Sequence, residues 1–296
     1  MSDRIKRLAV IGVGLIGGSL ALALRKAGAC GEVVGCGRSR ENLERAVALG
    51  VIDRFEQEPG RAVAGADMVV LGVPLGAMEA VMGRIASSLA ADAVVTDVGS
   101  AKMAVADAAR RTLGGHLARF VPGHPIAGTE RSGVEAAFAS LFEGCSVILT
   151  PLPETEAGAL ARVGAMWRAC GAEVVEMDIA HHDQVLAATS HLPHLLAYTL
   201  VDTLARMDDS EEIFQYAAGG FRDFTRIASS DPVMWRDICL ANREAIGEML
   251  ARFSNALQDL AEAVQGGDGE TLLSLFHRAK AVRDRQIKGR TLSAED

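Results

Sequence analysis

The residues able to do chemistry fall into a few short runs. Gly12-Val13-Gly14-Leu15-Ile16-Gly17 follows the apolar stretch 8–11 directly and opens a helical stretch near residue 15. In that setting Gly12 permits a tight turn, Gly14 lets backbone approach a pyrophosphate, and Gly17 lets helix and strand pack closely. With Leu15 and Ile16 these residues form a dinucleotide loop whose helix offers unpaired N–H groups and a partial positive charge to phosphate. Twenty residues past Gly17, where an Asp or Glu would accept from a ribose 2′-hydroxyl, the chain has Gly37-Arg38-Ser39-Arg40, with no carboxylate before Glu41. Such a set suits a 2′-phosphate, which a guanidinium holds by charge-assisted, often bidentate bonds. NADP is therefore the expected cofactor and NAD the alternative; the plainer reading of the arginines is a pair of solvated charges at a helix start.

Further polar groups stand just past other apolar stretches. After 68–71 comes Gly72-Val73-Pro74-Leu75, too apolar for acid–base work but suited, at Val73 and Pro74, to walling a cofactor. After 93–96 comes Asp97-Val98-Gly99-Ser100-Ala101-Lys102, where Ser100 is either a functional hydroxyl or simply the N-cap of the next helix, with Lys102 exposed. After 120–121 comes Pro122-Gly123-His124-Pro125-Ile126-Ala127-Gly128-Thr129-Glu130. A histidine between two prolines fits neither helix nor strand, so His124 reads as a loop residue fixed for another reason, and an imidazole titrates where proton transfer at neutral pH needs it. His191 and His194, with His181, His182 and Asp183 nearby, could face one ligand on a helix. Pro193 interrupts that helix and no cysteine joins the cluster, so no metal is expected; His181, His182, His116 and His277 read as surface residues.

These runs require elements to position them. Candidate strands at 8–11, 33–36, 68–71, 93–96, 120–121, 146–149 and 173–175 alternate with helices near 15–27, 40–48, 75–89, 101–113 and 155–169. Most strands are continuous apolar runs, as a parallel sheet covered on both faces demands. The alternation implies a doubly wound α/β domain of Rossmann type over 1–177. From 178 to 296 the strands stop, and Ile246, Met249, Leu250, Phe253, Leu257, Leu260 and Val264 paint one apolar face on a long helix from Trp235 onward. Helices with such faces and no sheet to cover need each other or a second subunit, so 178–296 reads as an all-helical dimerisation domain.

Composition narrows the partners. The 296 residues carry 30 Lys+Arg against 38 Asp+Glu, a net charge of −8, which argues against nucleic acid or an anionic membrane as partner. The uncharged run 8–24 behind Arg4, Lys6 and Arg7 imitates a signal peptide, yet its glycines are better explained by the dinucleotide loop. Cys30, Cys36, Cys145, Cys170 and Cys239 are scattered and odd in number, as in a reduced, cytoplasmic protein.

Gly-His-Pro-Ile-Ala-Gly-Thr-Glu at 123–130, preceded by the run 97–102, closely resembles the prephenate/arogenate (cyclohexadienyl) dehydrogenase family of tyrosine biosynthesis. Thr189-Ser190-His191-Leu192-Pro193-His194, the run 220–228 and Asp231-Pro232-Val233-Met234-Trp235 are similar to that family's motifs, in the same order. The resemblance implies a Rossmann domain followed by a helical domain that dimerises, and NAD(P)-dependent oxidative decarboxylation of prephenate or arogenate. It makes His124 the catalytic histidine on the substrate's ring hydroxyl and Ser100 the serine that contacts that hydroxyl and orients the imidazole. It makes Arg226 the arginine for the ring carboxylate and His194 a histidine of the same pocket. Thr129, Glu130, Ser190 and Asp223 become further pocket residues, and Trp235 a tryptophan near the dimer-related site. An anionic substrate entering a chain of net charge −8 needs local arginine, which supports Arg226 independently. A β-hydroxyacid dehydrogenase would need a lysine in the stretch 171–182, which has none, and a non-catalytic NADP-binding regulator would have no use for Ser100, His124 and Arg226 together.

Overall fold

The computed structural model describes residues 4–129 and 131–286. Its N-terminal half alternates β1 (Ile5–Ile11), α1 (Leu15–Lys26), β2 (Cys30–Cys36), α2 (Arg40–Ala48), β3 (Arg54–Glu56), α3 (Pro59–Val63), β4 (Met68–Leu71), α4 (Met78–Ile85), β5 (Val94–Asp97), α5 (Met103–Thr112) and β6 (Phe120–Val121). The six strands form one parallel sheet in the order β3-β2-β1-β4-β5-β6. Strand residues alternate between two buried layers, which explains the uninterrupted apolar runs. Leu8 and Val10 pack with Leu20 and Leu24 of α1 and Leu43 of α2, while Ala9 and Ile11 pack with Val63 of α3, Met82 of α4 and Val105 of α5. Each fully buried leucine among them contributes roughly 1.5–3 kcal/mol by leaving water.

The expected parallel sheet ends sooner than the apolar runs do. After β6 the chain forms β7 (Gly123–Pro125), and β8 (Ser146–Leu149) and β9 (Glu173–Glu176) join it in a second sheet of order β7-β8-β9. β7 runs antiparallel to β8, with His124 opposite Ile148, and β9 runs parallel to β8. His124 is thus a strand residue rather than a loop residue. Between β8 and β9, α6 (Ala157–Ala169) lays Val163, Met166 and Trp167 onto the layer that holds α1. β3 and α3 were not expected, because a three-residue edge strand reading Arg-Phe-Glu carries no apolar run.

Beyond β9 the described elements are helical: α7 (Ile179–Leu186), α8 (Leu192–Ala205), α9 (Ser210–Gln215), α10 (Gly219–Thr225), α11 (Pro232–Ala241), α12 (Arg243–Gly266) and α13 (Gly269–Gln286). A π-helical turn at Ala187–His191 joins α7 to α8, just ahead of Pro193 in the first turn of α8. The helix expected to run on from Trp235 is broken at Asn242, whose side chain is used elsewhere. The chain packs as two units, one up to Ile246 and one from Gly247 onward. α7 to α11 therefore belong with the sheets. The second unit keeps Leu250, Leu257, Val264, Leu273, Phe276 and Val282 exposed.

Candidate active site

The dinucleotide loop lies at the carboxyl edge of the parallel sheet, beside the point where strand order reverses between β1 and β4, the usual ligand crevice of such sheets. Gly12 has φ of +100°, and a Cβ there would strike the backbone of Gly72. A Cβ on Gly17 would meet the carbonyl of Gly12 and, at 2.8 Å, Cγ1 of Val10, so that position fixes how closely α1 seats on β1. Gly14 has open space above it and precedes α1 without a side-chain cap, leaving the first N–H groups of Leu15, Ile16 and Gly17 for an outside acceptor. The Asn42 side chain donates to the carbonyl of Val13 at 2.8 Å and pins the loop. These features fit a dinucleotide pyrophosphate.

The end of β2 divides its expected labour. Ser39 caps α2 by accepting from the N–H of Asn42 at 3.1 Å, and Arg40 pairs with Glu44 at 2.8 Å. Gly37 leaves room beside Leu43, and the exposed Arg38 has no ion pair among the described residues. Val73 is half-buried after β4, and Pro74 starts the turn that leads to α4.

Beside β5 and β6 the polar residues interlock. Lys102, wholly buried, pairs with Asp97 through Nζ and also donates to the carbonyl of Gly123 at 2.7 Å. Asp97 further accepts from the N–H of Gly99 at 2.7 Å and of Gly123 at 3.2 Å. The N-terminus of α5 is capped neither by Ser100 nor locally: Asp183 of α7 accepts from the N–H of Lys102 at 2.8 Å and of Met103 at 2.9 Å. The same carboxylate meets Nδ1 of His182 at 2.8 Å, and Nε2 of His182 meets Nδ1 of His124 at 2.9 Å. His182 is completely buried, which corrects its reading as a surface residue; its neighbour His181 is exposed. Among the described residues no hydrogen bond joins Ser100 to His124, so the imidazole is held by His182.

Burial is the main influence on these groups. It holds the imidazole of His124 well below the usual histidine range, reinforced by the nearby charge of Lys102 and by His182 and His191. His191 is likewise pushed down by burial, to about 4. Its Nδ1 lies 3.2 Å from Nδ2 of Asn242, which also donates to the carbonyl of Asp183 at 2.8 Å. Asp183 remains ionised because hydrogen bonds from His182, Lys102 and Met103 outweigh its burial.

Of the expected substrate residues, Ser190, His194, Trp235 and Arg226 adjoin one another, and Trp235 meets the ring of His191 edge-on with centroids 6.0 Å apart. His194 stacks on Trp235 with ring centroids 3.8 Å apart, and its Nδ1–H donates to the carbonyl of Ser190 at 2.9 Å. Burial chiefly holds His194 below the usual histidine range, and Arg226, exposed at the end of α10, adds to the effect. Thr129 accepts from the N–H of Arg131 at 3.2 Å, Asp223 is exposed on α10, and Glu130 lies outside the described residues. Lys102 and Asn242 are members that spacing did not single out, while His182 and Asp183 stood out only as neighbours of a metal site that was not expected. Among the described residues no cluster of three His, Cys, Asp or Glu side chains has the arrangement of a metal site.

A Rossmann sheet with an uncapped glycine loop, followed directly by a short strand that carries a buried histidine, defines the nicotinamide-dependent dehydrogenase class. A family model for the prephenate dehydrogenase nucleotide-binding domain matches residues 20–176, and one for the prephenate dehydrogenase dimerization domain matches 178–278. The chain is 39% identical to the cyclohexadienyl dehydrogenase of Zymomonas mobilis over 94% of its own length and 95% of that protein. It is 37% identical to the prephenate dehydrogenase of Bacillus subtilis, over 96% and 77% of the two chains. The Aquifex aeolicus prephenate dehydrogenase, solved with hydroxyphenyl propionate and NAD+, shares 39% identity and a TM-score of 0.88, over 94% of this chain and 97% of that one. The chain belongs to the prephenate dehydrogenase family.

Proposed function

We propose that His124, Ser100 and Arg226 form the reacting centre for the family's reaction, the oxidative decarboxylation that leads to tyrosine, with prephenate, arogenate or both as substrate. The bound nicotinamide supplies the hydride acceptor. His124 accepts the proton of the ring hydroxyl as that oxygen becomes a carbonyl and the hydrogen on the same carbon leaves as hydride. The bond to the ring carboxylate then breaks, its electrons complete the aromatic ring, and His124 returns the proton to the phenolic oxygen. Aromatisation drives the sequence, so alignment is what the chain must provide. Arg226 anchors the ring carboxylate, His194 and Trp235 line the pocket, and Thr129, Glu130, Ser190 and Asp223 complete it. The observation that carries this reading is a buried, uncharged imidazole on the strand whose first residue, Gly123, is held by Asp97 at the carboxyl end of β5.

NADP is the preferred cofactor in this reading, supported by Gly37 and by Arg38, which has no ion pair among the described residues, at the end of β2, where an acid would favour NAD. The exposed apolar residues of α12 and α13 support a homodimer through the helical domain. All five cysteines are free thiols, as a reducing cytoplasm would keep them, and no described helix is long and apolar enough to cross a membrane. Incubating the protein with NADP or NAD and each substrate, and following cofactor reduction and CO2 release, tests the proposal. Turnover of neither substrate with either cofactor overturns it.

A further inference from the structure

The geometry points to His182 as a positioning residue: backed by Asp183, it holds His124 in the one tautomer whose Nε2 is bare, and it steadies the imidazolium formed during turnover. This inference rests on His124 being the proton acceptor. The direction of each bond follows from the end that cannot donate. The ionised carboxylate of Asp183 only accepts, and it takes the N–H groups of Lys102 and Met103 at 2.8 and 2.9 Å. Nδ1 of His182, 2.8 Å from the same carboxylate, therefore carries a proton. In the arrangement inferred here Nε2 of His182 is the acceptor, and Nδ1 of His124, 2.9 Å away, donates to it. That leaves the proton of His124 on Nδ1 and a lone pair on Nε2, on the flank of the ring turned away from His182. No water competes for these bonds, since His182 is wholly buried and His124 is 8% exposed.

The proton count suits holding rather than export. The proton taken from the ring hydroxyl returns to the phenolic oxygen, so nothing has to leave through the protein. While it resides on Nε2 the ring is a cation, close to the charge of Lys102. The bonds through His182 to Asp183 oppose that repulsion, much as a buried carboxylate orients and stabilises the histidine of a hydrolase triad.

His182→Leu removes the acceptor, whereas His182→Gln can accept from His124 through Oε1 and donate to Asp183 through its amide. We expect His182→Leu to lower kcat on the order of 100-fold or more with KM for substrate and cofactor nearly unchanged, and His182→Gln to recover most of the loss. In 15N-histidine NMR of the wild-type protein, with His124→Asn for assignment, His124 should be protonated at Nδ1 and bare at Nε2. The inference is overturned by the opposite tautomer, or by a His182→Leu enzyme of undiminished kcat. Should His182→Leu fail to fold, the wild-type spectrum alone decides. If His124→Asn is inactive while His182→Leu is fully active, only this inference falls; if His124→Asn remains active, the assignment of the base falls with it.

Discussion

Lys102 and Asp97 form an ion pair with no solvent access, and the remaining reach of Lys102 is spent on the carbonyl of Gly123, the residue before His124. The pair holds the start of β7 against the end of β5. Lys102→Met would strand a buried carboxylate whose remaining partners among the described residues are the N–H groups of Gly99 and Gly123. We predict a loss of ~3–5 kcal/mol in urea unfolding, partly restored by adding Asp97→Asn. An unchanged midpoint would show that Asp97 is satisfied without the cation.

His124→Asn should lower kcat at least ~100-fold with little change in substrate KM, because the interaction is made mainly in the transition state. Burial first, then Lys102, His182 and His191, hold the imidazole below its ordinary range. The base accordingly stays available as pH falls through 6.5. A pH profile of kcat/KM should have its acidic limb below that value, whereas a limb at or above it would contradict the assignment.

Arg38→Asp should lower the preference for NADP over NAD by roughly tenfold or more, the worth of one charge-assisted bond. Steady-state comparison of the two cofactors measures it. An unaltered ratio would place the 2′-phosphate elsewhere.

Arg226→Ala should raise substrate KM by roughly 10–100-fold and leave cofactor KM unchanged, as loss of an ionic anchor predicts. Initial-rate kinetics with each ligand varied in turn separate the two effects.

Buried neutral histidines also make the fold sensitive to acid. The unfolded imidazole of His191 binds a proton below about 6.5, while the folded one resists until about 4. Stability should therefore fall as pH drops through that window, by up to about 3 kcal/mol from His191, with His124 acting in the same direction. Urea midpoints measured across the window check this, and His191→Asn should flatten the dependence.

The parts of this molecule that were legible in the chain were those that repeat or signal locally. The dinucleotide turn announced itself through Gly12, Gly14 and Gly17, and β1, β4 and β5 through apolar runs. β7 was hidden because Pro125 cannot donate to a ladder and three residues are too few to show alternation. His182 was hidden for another reason: on a helix of polar neighbours its burial is set by Asp183, Lys102 and His124, which are remote in sequence. Asn242 likewise reads as an interior helix position until His191 and the carbonyl of Asp183 are seen to claim its side chain.

Because His124 is built into a ladder with β8, its ring has little freedom to follow a guest of different shape. In the proposed site, accommodation of a keto or an amino side chain falls to segments outside the sheets, such as Phe221 to Arg226. Redesign of that site for a new ring substituent can be confined to such segments while the strand that carries His124 is left untouched.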